Sequence, residues 1–387
     1  MRDIFIFGLT VAALVLVLAG CSQPSEPSGE AIEPAARPST LQGPEADWND
    51  VRFAAAARAF QQQAETEGQA LQALCEPLFS AINAFLDNPQ KDFQISAQAA
   101  WHRCYEQWQR FSLFHHLAFN PAAQEALNST RRLINSRPFL PGYIDSLPEY
   151  PFSGLVHETG LELTLDNLMG QHQMMDLDSA SLGFPAVETL LWKTGLDEYW
   201  RVNGGDNDTA IKRRHQYLRI ASIQLQDLLG QAQLRWSAQL GFTGLSDSTQ
   251  QRIVWVSLEQ QIRQDLLELS FAPDARDEPV WHHPSFVAGQ GKRHLLAKLA
   301  GLEALLASDE QTASALASWL DRSGYAVSAT ALGDHLADTT SAISALPDNT
   351  PASDIGDEAW QSAATSLTQL ADDISHIRQQ LSTQNGN

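Results

Sequence analysis

The chain has 387 residues, with 46 acidic against 25 basic side chains and a formal net charge of −21. That length can bury two cores, since single domains usually run about 100 to 200 residues. So acidic a balance excludes non-specific binding of nucleic acid, and a surface that concentrates cations suits metal handling as well as plain solubility.

The first twenty residues, MRDIFIFGLTVAALVLVLAG, place one arginine before an apolar run that stops at Leu18-Ala19-Gly20-Cys21. This order reads as a secretory signal. An uncleaved anchor is the alternative, but the run falls short of the ~20 residues a bilayer needs. Small residues directly before a cysteine resemble the lipobox of bacterial lipoproteins, which implies acylation of Cys21. With Ser22 rather than aspartate next, the resemblance places the protein on the periplasmic side of the outer membrane, with the membrane as partner through the lipid. Residues 21 to 47 then read as a disordered tether, because SQPSEPSGEAIEPAARPSTLQGPEA has hardly an apolar side chain to bury.

Helical period dominates the chain beyond the tether. Segments at roughly 50 to 86 and 93 to 117 flank a break at Asp87-Asn88-Pro89-Gln90, which predicts a helical hairpin. Cys75 and Cys104 would lie at one height on it, either as a disulfide, favoured in an oxidising compartment, or as two buried thiols. Further helices are predicted at about 212 to 236, 249 to 271 and 291 to 307. In the last helix Trp360, Ala364, Leu367, Ala371, Ile374, Ile377 and Leu381 line one side. No run alternates like a strand. The fold class is therefore all-α, two helical bundles packed against each other, at 48–203 and 204–387, with the Gly/Asn/Asp turn NGGDND at the boundary. The proline-rich stretch RPFLPGYIDSLPEYPFSG, from Arg137 to Gly154, is too long for a plain bundle connection and reads as functional.

Three segments, YIDSLP (143–148), LTLDNLMG (163–170) and GFPAVETLLWKTG (183–195), together resemble the imelysin-like family. Trp101 and Trp108 fit its first aromatic-rich helix, and HHPSF (282–286) its serine-phenylalanine segment. The resemblance spans the chain from about residue 48 onward. It implies two helical bundles, a role in iron uptake and, for the founding members, insulin-cleaving metallopeptidase activity.

The family's GxHxxE signature puts His and Glu on one helix face, where both can bind one metal. Here Gly183 and Glu188 remain, but Pro185 stands at the histidine position and cannot ligate through its side chain. In a first helical turn proline supplies only a preset φ, and Glu188 then reads as a ligand or as a carboxylate at the helix's positive end.

Other candidates must supply the missing donors. Asp145 and Tyr143 of YIDSLP match the family's site segment, and Ser285 carries over in the same way; a turn-capping role is the alternative for Asp145. His157 lies within thirty residues of Pro185, as does His172. His282 and His283 could both reach a soft divalent metal from one loop. His115 and His116 could do the same or serve as helix-end cations. Glu158, Glu162 and Asp166 would form a stripe on one helix, either solvated or shared with a cation. Iron, zinc and copper are the candidate metals. No HExxH, Ser-His-Asp order, phosphate loop or dinucleotide fingerprint occurs, which leaves zincin chemistry and nucleotide partners unsupported.

The first functional reading is a non-enzymatic lipoprotein serving iron uptake, binding a metal, a metal complex or an iron-uptake component in an interdomain cleft. An imelysin-type metallopeptidase and a pure interaction module of an outer-membrane complex are the alternatives.

Overall fold

In the computed structural model the described residues are 53–203, 208–237, 241–271, 284–306, 314–348 and 357–384. The signal, Cys21, the tether, and the His282-His283 pair lie outside them. Among the described residues there is no strand, and residues 47–387 form one compact unit.

Two long helices, α1 (Ala54–Asp87) and α2 (Lys91–Phe111), make the expected hairpin. On α1, Phe60, Ala64, Leu71, Leu78, Ile82 and Phe85 recur at helical steps and are fully buried or nearly so. Asn88 and Pro89 end that helix, since proline disfavours helical backbone in the residue before it. A disulfide joins Cys75 to Cys104 across the hairpin.

A third long helix, α8 (Asp208–Ser237), packs along α1. The expected boundary at 203/204 thus falls inside the compact unit, and the helix beyond it covers a helix before it. Between α2 and α8 the chain builds short helices: α3 (Gln124–Asn135), α4 (Pro141–Ile144), α5 (Leu165–Gln171), α6 (Gly183–Leu191) and α7 (Leu196–Tyr199).

The later half adds α9 (Asp247–Ile262), a six-residue π-helical segment at Arg263–Glu268, and a short α10 (Leu269–Phe271). The helix predicted over 249 to 271 is thus one run with a π insertion. Then come α11 (Gly291–Leu306), α12 (Ala315–Arg322), α13 (Ala329–Ser344) and α14 (Asp357–Gln384). Helix α11 packs on both α2 and α13, while α14 packs on both α13 and α9. One hydrophobic core runs from Phe53 to Leu381 through all the long helices.

Two sequence expectations change here. His115 and His116 are not helix-end cations: they end and follow a buried 3-10 turn after α2, and burial lowers both, His116 to about 3, so they are neutral at neutral pH. The Glu158, Glu162, Asp166 stripe does not form, because α5 begins only at Leu165 and the first two glutamates occupy the preceding turn.

Candidate functional site

Helix α6 carries GFPAVETLL, and every one of its nine residues is buried. Its start is fixed by Gly183, whose φ is +80° and whose hypothetical Cβ would lie 2.3 Å from the Ile134 carbonyl oxygen. No other residue type fits that approach of α6 to the end of α3. Pro185 follows inside the first turn, where the missing N–H has no intrahelical acceptor to lose.

Because the helix starts at Gly183, Glu188 lies beyond its first turn. The expectation of a carboxylate held by the helix's positive end gives way to a direct partner. Arg137 Nη2 donates to Glu188 Oε2 at 2.9 Å, with both side chains essentially buried, and the Ala288 N–H donates to Oε1 at 2.9 Å. Burial pushes the Glu188 carboxyl above its ordinary range, against the pull of Arg137 and the Ala288 and Val287 N–H groups. The guanidinium also stacks 4.5 Å over the Phe139 ring and bonds the Tyr105 hydroxyl at 3.4 Å. That hydroxyl in turn donates to Asn135 Oδ1 at 3.1 Å.

A second buried carboxylate, Asp145, has a parallel arrangement. Arg214 grips it in a fork, Nε to Oδ2 at 2.6 Å and Nη2 to Oδ1 at 3.0 Å. His157 Nε2 stands 3.3 Å from Oδ1, Lys193 Nζ 4.0 Å from Oδ2, and the Ser146 N–H donates at 2.7 Å. Against the cost of burial, these bonds from His157 and Arg214 and the nearby Lys193 charge hold the carboxyl well below its usual range. The loop folds back onto Asp145 at Gly154, whose φ of +85° and 2.6 Å Cβ approach to the Asp145 nitrogen again admit only glycine.

Tyr143 is tied away, donating its hydroxyl to the Gln171 carbonyl at 2.7 Å. Ser285 is fully buried at φ 50°, and its hydroxyl lies 2.6 Å from His294 Nδ1. Burial, then the neighbouring His102 and Arg293, takes the His294 ring well below the ordinary histidine range. His172 is a strut, its ring nitrogens meeting the Arg132 carbonyl at 3.1 Å and the Ser181 N–H at 3.3 Å.

Beside Asp145 lies a cavity of about 360 Å³, lined by Asp145, Thr189, Trp192, Lys193, Phe286 and Val287. The YIDSLP segment, α6 and the turn after Ser285 therefore meet at one place, although they are far apart in the chain. Arg137, Lys193, Arg214 and His294 belong to the candidate site, and the sequence reading does not single them out as site residues. Two of them left a faint signal: Arg137 opens the proline-rich loop, and Lys193 directly follows the GFPAVETLLW decapeptide.

The imelysin (peptidase M75) family model matches residues 64–381. The chain belongs to the imelysin family. An imelysin-like protein from Psychrobacter arcticum has the same fold at a TM-score of 0.53 and 16% identity, over 83% of this chain and 93% of that one. A protein from Parabacteroides distasonis assigned as an iron-regulated protein A precursor matches at 0.55 and 14%, over 86% and 95%. A comparison with curated proteins finds no match.

Imelysin-family membership implies a metal held by the signature histidine and glutamate. The residues present do not fit one. Both Glu188 oxygens already accept hydrogen bonds, and a guanidinium occupies the place where a cation's charge would be matched. The Pro185 side chain offers no ligand atom, and among the described residues no three His, Cys, Asp or Glu side chains converge. What the arrangement does offer is a cavity with a lysine and an aspartate, Lys193 and Asp145, in its wall.

Proposed function

We propose that this imelysin-family chain is a non-enzymatic, lipid-anchored protein of the periplasmic side of the outer membrane that serves iron uptake by binding an iron complex or an uptake component. The ion pair between Arg137 and Glu188 carries the non-enzymatic part of this reading, and the imelysin-family match with its iron-regulated neighbour supports the iron part. In that pair the motif's glycine and glutamate persist as structure, while a permanent protein cation takes the role of counter-charge to the carboxylate. The same pair weighs against the metallopeptidase alternative, because a catalytic metal keeps three protein ligands and an open position. The signal ending at Cys21, the tether and the acidic chain support the address. No helix among the described residues is long and apolar enough to cross a membrane, and the lipobox-like Leu18-Ala19-Gly20-Cys21 is what supports a lipid as the attachment.

The test is iron accumulation in the native host. Deleting the gene should lower uptake of radiolabelled ferric chelate under iron limitation several-fold, and the full-length chain should restore it. Unchanged uptake would remove the iron reading and leave the interaction module.

A further inference from the structure

Arg137 also borders a larger cavity of about 510 Å³, a volume typical of small-molecule sites. Its walls come from α3, the start of the proline-rich loop, the π-helical segment and α11. Four basic side chains, Arg131, Arg132, Arg137 and Lys298, line it beside a single carboxylate, Asp265.

The charges do not balance. Asp265 is shared between Lys298 Nζ at 3.1 Å and Arg131 Nη2 at 3.3 Å. His116 Nε2 also approaches it, at 3.6 Å, but that ring is neutral and bonds Gln261 Oε1 at 2.9 Å. Arg137 is matched by Glu188, whereas the partner of Arg132, Glu125, is 77% exposed and heavily screened by water. Two inward cations thus divide one carboxylate, and the Lys298 side chain is only 5% exposed. A buried ammonium with half a counter-charge is costly unless something else neutralises it. In a chain of net charge −21 this concentration of positive charge runs against the whole molecule.

The backbone points the same way. Asp265 and Gln264 reach the cavity from the π-helical segment Arg263–Glu268, and π insertions are uncommon and frequent at functional sites. Arg131 on α3, Arg137 in the loop after it and Lys298 on α11 stand on separate elements, so they match several anionic groups spaced along a carbon frame better than one compact tetrahedral anion. Asn128, Asn135 and Gln264 add amides that can both donate to and accept from hydroxyl or carboxyl groups.

We propose that this cavity binds a small polycarboxylate anion, free or chelating a ferric ion, with Arg131 and Lys298 as its charged contacts and Asp265 as a built-in competitor for them. Only the ferric form rests on the iron-uptake reading. No residue of the signature helix lines the cavity, although Arg137 joins the two through Glu188, and the site asks nothing of Glu188 as a ligand.

Calorimetric titration of the full-length chain with citrate, Fe(III)-citrate and inorganic phosphate tests it, beside Arg131→Gln and Asp265→Asn. Citrate affinity should fall about tenfold in Arg131→Gln, the loss of one charge-assisted contact, and rise several-fold in Asp265→Asn, a gain that misfolding cannot mimic. Binding of Fe(III)-citrate alone, with the same two opposite shifts, would support the chelate as the ligand. Binding by neither carboxylate, by phosphate alone, or with affinities unmoved by both variants would overturn the proposal. Citrate binding in a protein whose deletion leaves iron uptake unchanged would keep the site and discard the iron reading.

Discussion

Removing Arg137 would leave Glu188 as a fully buried carboxylate with two backbone N–H groups and no counter-charge. Breaking a buried pair from one side costs about 3–5 kcal/mol, so Arg137→Met should lower the unfolding free energy by that order, and adding Glu188→Gln should recover part of it. Urea unfolding of the single and double variants checks this; equal losses in both would mean that the pair is not coupled. Asp145 makes a pH prediction. Its folded carboxyl is held below the unfolded value of about 3.9, so its contribution is present above that pH and is lost as pH falls through the folded value. The stability of the parent chain should therefore decline from about pH 4 downward more steeply than that of Asp145→Asn. Urea midpoints compared between pH 6 and pH 2.5 decide it, and parallel curves would contradict the assignment.

At the scale of the element, α6 is held by where it begins. Ile134 lies in the last turn of α3, and its carbonyl leaves room at residue 183 for a hydrogen atom and no more. Gly183→Ala should then destabilise the protein by at least about 2 kcal/mol, combining a left-handed φ with a backbone clash. It should also shift α6, which thermal unfolding and the near-ultraviolet signal of Trp192 would both report; a neutral substitution would mean that α3 and α6 can separate at no cost. The glycine was legible in the sequence as part of a motif, but its reason was not, because the atoms it makes room for lie some fifty positions earlier. The same holds for the π segment. Its apolar residues keep helical order over 249 to 271, and an extra residue in one turn barely disturbs such a pattern.

Across the whole molecule the all-α architecture follows from apolar residues recurring at three and four, a local property that any stretch of chain carries by itself. The hairpin of α1 and α2 follows in the same way from Asn88-Pro89 between two such stretches. Which helices share a core is different: α8 packs on α1 across the turn that reads as a boundary, since a Gly/Asn/Asp turn signals a change of direction and says nothing of what the next helix covers. The pairing of Glu188 with Arg137, 51 residues away, and of Asp145 with Arg214, 69 residues away, leaves no periodic trace either. The sequence by itself determined the helices, the acidic charge and the presence of Pro185 between Gly183 and Glu188. Only the tertiary structure decided that the two carboxylates are neutralised by arginines and that positive charge collects in one cavity, because a buried charge takes its character from neighbours that the fold, rather than the chain order, brings within about 3 Å.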